Sequence, residues 1–135
     1  MEKKRLLMID DEKDYCYLVK KNLEQRGDFK VEFYCDGEIG IKRIKEWLPD
    51  VVLLDIIMPG IDGTDVAAAL RSHADTRGIP FAFLTALVRK REMTLSTNYI
   101  GGEYYISKTA SIEEMITAIH ELTTRNKEAR QHRES

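Results

Sequence analysis

Three carboxylates, a hydroxyl and an ammonium close or follow short apolar runs in this sequence. Arg5-Leu6-Leu7-Met8-Ile9 is closed by Asp10-Asp11, Val51-Val52-Leu53-Leu54 by Asp55, and Ile79-Pro80-Phe81-Ala82-Phe83-Leu84 by Thr85, while Tyr104-Tyr105-Ile106 runs into Ser107-Lys108. Carboxylates gathered in one crevice repel each other and resist ionisation unless a hard divalent cation neutralises them, and Mg²⁺ is the natural candidate. Lys108 offers a compact positive charge to a phosphoryl oxygen, and the Thr85 hydroxyl can donate to another. The set suits phosphoryl transfer, where catalysis is mostly positioning and charge neutralisation. Taken singly, each residue has an ordinary reading: an Asp pair caps a helix, a strand-terminal Asp makes a turn, and Thr is a good strand former. Only their joint placement at strand ends argues for chemistry.

That placement depends on the elements between them. After the first run, Tyr15, Leu18, Val19 and Leu23 recur at helical spacing. Gly27-Asp28 breaks that helix, Phe29 to Tyr34 is β-rich, and Gly40, Ile41, Ile44 and Leu48 predict a second helix opened by Asp36-Gly37. Val51 to Leu54 is apolar on consecutive residues, as in a strand buried on both faces of a parallel sheet. Val66 to Arg71 predicts a third helix, and Arg89 to Asn98 a polar fourth one anchored by Met93 and ended by Gly101-Gly102. Ser111 is a plausible N-cap for the fifth, whose stripe is Ile112, Met115, Ile116, Ile119 and Leu122, with Glu114 completing a capping box. Five strands alternating with five helices predict a doubly wound α/β domain with a five-stranded parallel sheet and helices on both faces. In such a sheet the ligand site lies beyond the carboxyl ends of the strands.

Composition narrows the function. The 135 residues fit one domain, and 43% hydrophobic residues suffice for its core. The 21 Lys and Arg against 23 Asp and Glu give a net charge of -2, without the basic excess of a nucleic-acid surface. No apolar stretch approaches the roughly 20 residues of a membrane span, and Leu6 to Ile9 is too short for the core of a signal peptide, so a cytoplasmic protein is expected. Cys16 and Cys35 lack metal-ligand spacing and read as reduced thiols.

The motifs Ile9-Asp10-Asp11-Glu12, Leu53-Leu54-Asp55-Ile56-Ile57-Met58-Pro59-Gly60-Ile61-Asp62-Gly63, Leu84-Thr85-Ala86 and Tyr105-Ile106-Ser107-Lys108 together resemble the receiver domain of two-component response regulators. The resemblance runs over about residues 4 to 123, and it implies a flavodoxin-like receiver domain over residues 1–123 with a helix extension or linker at 124–135. It further implies phosphorylation of Asp55 by a sensor histidine kinase or a histidine phosphotransfer protein. On that pattern Asp11, Asp55 and the Ile57 carbonyl would bind Mg²⁺, Asp10 would act through water, and Lys108 would hold the phosphoryl group. Thr85 and Tyr105 would form a switch read on the fourth helix, fifth strand and fifth helix, with Tyr104 and Met93 placed to feel it. Such a protein is a signalling module rather than a turnover enzyme. It would act through a downstream protein or an output domain, with a homodimer on phosphorylation as one possible response.

Three departures from the family pattern stand out, one of them Gly102 at a position commonly Ala. Lys108 is followed by Thr109 where a proline in cis is usual, and Ile57 and Leu87 are apolar where polar side chains are common, which would shield the phosphoryl group from water. An aspartate-nucleophile phosphohydrolase would need a second acid at the position of Ile57. A flavin carrier would need a phosphate loop where Asp10-Asp11-Glu12 stands. A receiver-like module that binds partners without phosphate is the remaining alternative.

Overall fold

The computed structural model describes residues 2–86, 99–100 and 102–134. Its elements in chain order are β1 (Lys4–Ile9), α1 (Lys13–Gln25), β2 (Phe29–Tyr34), α2 (Gly37–Trp47), β3 (Val51–Asp55), α3 (Gly63–Arg71), β4 (Phe81–Thr85), β5 (Tyr99–Ile100), β6 (Glu103–Ser107) and α4 (Ile112–Glu134). The strands form one sheet in the order β2-β1-β3-β4-β6-β5. All pairs are parallel except β5 with β6, which is antiparallel. The chain leaves β1 for β2 on one side and returns to β3 on the other. The strand order therefore reverses between β1 and β3, and a crevice opens there at their carboxyl ends.

The consecutive apolar residues of the central strands follow from a sheet covered twice. Leu6, Met8, Leu53, Leu84 and Ile106 point to one side and pack with Cys16, Val19 and Leu23 of α1 and Met115, Ile119 and Leu122 of α4. Leu7, Ile9, Leu54 and Phe83 point to the other and pack with Ile44 of α2 and Val66 and Leu70 of α3. Each fully buried Leu or Ile contributes roughly 1.5–3 kcal/mol relative to exposure.

Side chains fix the helix ends. The Asp36 carboxylate accepts from the Ile39 N–H at 3.0 Å, and Asp62 forms a capping box with Asp65. Ser111 and Glu114 exchange two 3.1 Å bonds at the start of α4, as the capping-box spacing predicts. At the other end of α2, the Arg5 guanidinium donates to the carbonyls of Trp47 and Leu48, both at 2.8 Å.

Several expectations are corrected. On α1 Leu18 is exposed and Cys16 is buried, so the core stripe is Cys16, Val19 and Leu23. Leu48 is the left-handed C-cap of α2, half out of the core, rather than part of its buried face. The fourth strand begins at Phe81, because the Ile79 N–H donates to Thr76 and Pro80 has none to give the ladder. The short β5 departs from the expected five strands; the last helix, for whose continuation past residue 123 the sequence leaves helix and linker open, runs on to Glu134. The helix expected from Arg89 to Asn98, with Met93, lies outside the described residues, as do Leu87 and Gly101.

Candidate functional site

β1 carries Asp10 one residue past its end. The Asp10 N–H donates to the Tyr34 carbonyl at 3.1 Å, prolonging the β1–β2 ladder. Its Oδ1 accepts from the Glu12 N–H at 2.8 Å, a local turn that locks the side chain, and residue 10 is fully buried. The Asp10 carbonyl accepts from the Cys16 thiol at 3.4 Å. Burial, and then the Asp10 carboxylate, push that thiol up to about 12, leaving Cys16 a packing residue.

Asp55 closes β3 and is 6% exposed, with its Oδ1 accepting a long 3.4 Å bond from the Ile57 N–H. The start of α3 lies directly on its backbone: a Cβ at Gly63 would sit 2.2 Å from the Asp55 carbonyl oxygen. Burial first, then the neighbouring Asp10 charge, raise the Asp55 carboxyl to about 6 against the pull of Lys108.

Lys108 enters from the loop after β6. Its N–H donates to the Thr85 carbonyl at 3.0 Å, joining the ends of β4 and β6. The following turn is clasped by side chains: Ser107 Oγ lies 2.7 Å from Thr109 Oγ1 and accepts from the Thr109 N–H at 3.1 Å. Among the described residues no peptide bond is cis, so Lys108–Thr109 is trans. Lys108 Nζ lies 2.6 Å from Glu12 Oε1, 2.8 Å from Asp10 Oδ2 and 3.3 Å from Asp55 Oδ2, and 5.3 Å from the centre of the Tyr15 ring. Burial pulls this ammonium down, but its close pairing with the Asp10 and Glu12 carboxylates outweighs that and holds Lys108 above its ordinary value.

Glu12, Asp55 and Lys108 line a cavity of about 320 Å³ together with Asp11, Ile57 and Thr85. Asp10, Asp11 and Asp55 each bring a carboxylate oxygen within 4.8 Å of the others. Asp10 Oδ2 is buried and accepts no hydrogen bond among the described residues, although Lys108 stands beside it. Among the described residues the Lys108 ammonium lies against the carboxylates of Asp10, Glu12 and Asp55, and the three converging oxygens of Asp10, Asp11 and Asp55 suit a small hard cation such as Mg²⁺. A larger cavity of about 440 Å³ opens at the opposite end of the strands between Lys4, Asp50, Asp75 and Thr123.

Asp10, Asp11, Asp55, Thr85 and Lys108 thus come to one end of the sheet, as their positions after the apolar runs require. Tyr105 stands on β6 facing α2 and α3, its half-buried ring 5.5 Å from that of Phe83. Tyr104 faces the other side, buried against α4 with its hydroxyl donating to Glu121 at 3.1 Å. Sequence reasoning gave no role to Glu12 and read Tyr15 as part of an apolar stripe. Their contacts with Lys108 span most of the chain and leave no local signal.

The family model described as "Response regulator receiver domain" matches residues 6–120. Transcriptional regulatory protein RprY of Bacteroides fragilis is 34% identical over 124 residues, covering 92% of this chain and 51% of that protein. Phosphate regulon transcriptional regulatory protein PhoB of Rhizobium meliloti is 30% identical over 125 residues, covering 91% of this chain and 53% of that protein. The chain therefore spans about half the length of these relatives. Among solved structures, the receiver domain of the Francisella response regulator 1452 is similar with a TM-score of 0.72 at 27% identity, over 90% of this chain and 98% of that one. The Vibrio cholerae chemotaxis protein CheY4 shares the fold with a TM-score of 0.75 at 20% identity, over 90% of this chain and 99% of that one.

Proposed function

The chain belongs to the response regulator receiver domain family, and from that premise we propose that it accepts a phosphoryl group on Asp55 and answers through its surface. The observation that carries this reading is the buried Asp55 carboxylate at the cavity floor, 3.3 Å from Lys108 and within 4.8 Å of the Asp10 and Asp11 oxygens. An Asp55 oxygen attacks phosphorus, the bond from phosphorus to the donor's imidazole nitrogen breaks, and the imidazole leaves with a proton from water. Lys108 neutralises a phosphoryl oxygen, and the Thr85 hydroxyl, on the neighbouring strand end, donates to another. Asp11, Asp55 and the Ile57 carbonyl would hold Mg²⁺, with Asp10 acting through water. The bound ion supplies charge neutralisation to the transferring group.

The donor is a protein, a sensor histidine kinase or a histidine phosphotransfer protein. Exposed Tyr17 and Leu18 on α1, with Ile57 at the cavity rim, support docking of a protein face there. Drawing the Thr85 hydroxyl inward makes room for Tyr105 to turn, which biases β6 and its flanking surface between two arrangements. A downstream protein, an output domain or a second copy would read that surface. Among the described residues no helix is long and apolar enough to cross a membrane.

Intact mass after incubation with acetyl phosphate and Mg²⁺ tests the reading. One phosphoryl adduct is expected, lost in Asp55→Ala and lost with a chelator. No adduct from acetyl phosphate or from a phosphohistidine donor would overturn it and leave a module that binds partners without phosphate.

A further inference from the structure

Lys108 is held by a carboxylate that phosphoryl transfer does not require. An ammonium has three N–H donors, and three carboxylates surround this one: Glu12 at 2.6 Å, Asp10 at 2.8 Å and Asp55 at 3.3 Å. Glu12 accepts a hydrogen bond from the ammonium while Asp10 and Asp55 pair with it by charge, so a phosphoryl oxygen must compete with these carboxylates for its N–H donors. Asp10 is buried and locked by the Glu12 N–H, and Asp55 is the group that carries the phosphoryl. Only the Glu12 side chain, 64% exposed, can give way to water at little cost.

Among the described residues the Glu12 carboxylate makes no other hydrogen bond or ion pair. Glu12 occupies the N-cap of α1 yet makes no capping hydrogen bond. Its N–H is taken by Asp10 and its carbonyl accepts from the Cys16 N–H at 3.0 Å, so the backbone fixes the residue on both sides. We propose that Glu12 is a positioning residue that holds the Lys108 ammonium in the resting protein and competes with the phosphoryl group for it, with the Tyr15 ring as the floor on which the ammonium rests. This inference rests on the reading of Asp55 as phosphoacceptor.

The test is Mg²⁺-dependent binding of beryllofluoride, a phosphoryl mimic, to the full chain, followed by ¹⁹F NMR. Glu12→Gln should tighten binding about two- to fivefold, the range of an exposed ion pair. The gain should disappear in a Lys108→Ala background, whereas a general charge effect would persist there. Raising the ionic strength should narrow the gap between wild type and Glu12→Gln. Glu12→Asp is one methylene too short to hold Lys108 but is a better N-cap, so it should tighten binding like Gln while melting no lower than wild type. Unchanged or weaker binding by Glu12→Gln, or a gain that survives Lys108→Ala, would overturn the role of Glu12 alone. Failure of the wild type itself to bind beryllofluoride would overturn the phosphoacceptor reading and this inference with it.

Discussion

Asp55 is ionised at neutral pH against its surroundings. Its folded value, about 6, lies above the 3.8 of a free aspartate. Between those values the native state binds the proton more readily than the unfolded chain, so metal-free stability is lost as pH rises from about 4 to about 6 and stays lost above. Asp55→Asn removes the repulsion with Asp10 and should raise metal-free stability at pH 7 by about 1–3 kcal/mol, with the gain vanishing near pH 4. Denaturant unfolding with a chelator at both pH values checks this. Added Mg²⁺ should stabilise the wild type more than Asp55→Asn, since a ligand that binds only the folded state stabilises by mass action. The carboxylates and Lys108 were legible in the sequence because each follows an apolar run, and parallel strands bring such ends to one edge. Glu12 was not: an acid at a helix start is commonplace, and only contact with a lysine 96 residues away gives it meaning.

Elements set the site through close approaches that a pattern of apolar and polar residues does not record. Gly63 starts α3 against the Asp55 carbonyl, where a Cβ would meet backbone at 2.2 Å, and Gly40 lets α2 sit on Ile9, where a Cβ would meet the side-chain end at 2.3 Å. Backbone at a strand end cannot yield as a rotating methyl can. Gly63→Ala should therefore cost about 1–3 kcal/mol and also slow phosphorylation of Asp55 several-fold, while Gly40→Ala loses stability but keeps the phosphorylation rate. Thermal unfolding and the rate of adduct formation from acetyl phosphate separate the two. Equal losses of rate in both variants would show that α3 does not set the position of Asp55. The sequence disclosed element types well, since buried strands and amphipathic helices differ in period. It disclosed ends only where a cap marked them, as Ser111 and Glu114 do for α4, while the opening of α3 at Gly63 was passed over in favour of the apolar residues after it.

On the scale of the whole molecule, the sheet separates two cores, and the proposed switch belongs to one of them. Thr85, Phe83 and Tyr105 share the face covered by α2 and α3, and β4 and β6 are in register there, with Phe83 beside Tyr105 and Thr85 beside Ser107. Tyr104 looks into the other core and is tied to Glu121 of α4. A displacement of the Thr85 hydroxyl can therefore reach Tyr105 along one face without repacking the core around Tyr104. With beryllofluoride and Mg²⁺, the Tyr105 ring resonances should shift and those of Tyr104 should move far less. Thr85→Ala removes one hydrogen bond to a charged group, roughly 1.5–3 kcal/mol, so binding should weaken about tenfold or more. At saturating beryllofluoride the Thr85→Ala protein should nevertheless leave Tyr105 as it is in the free state. A Tyr105 shift that survives Thr85→Ala would mean that the loop after β3, rather than β4, carries the signal to β6.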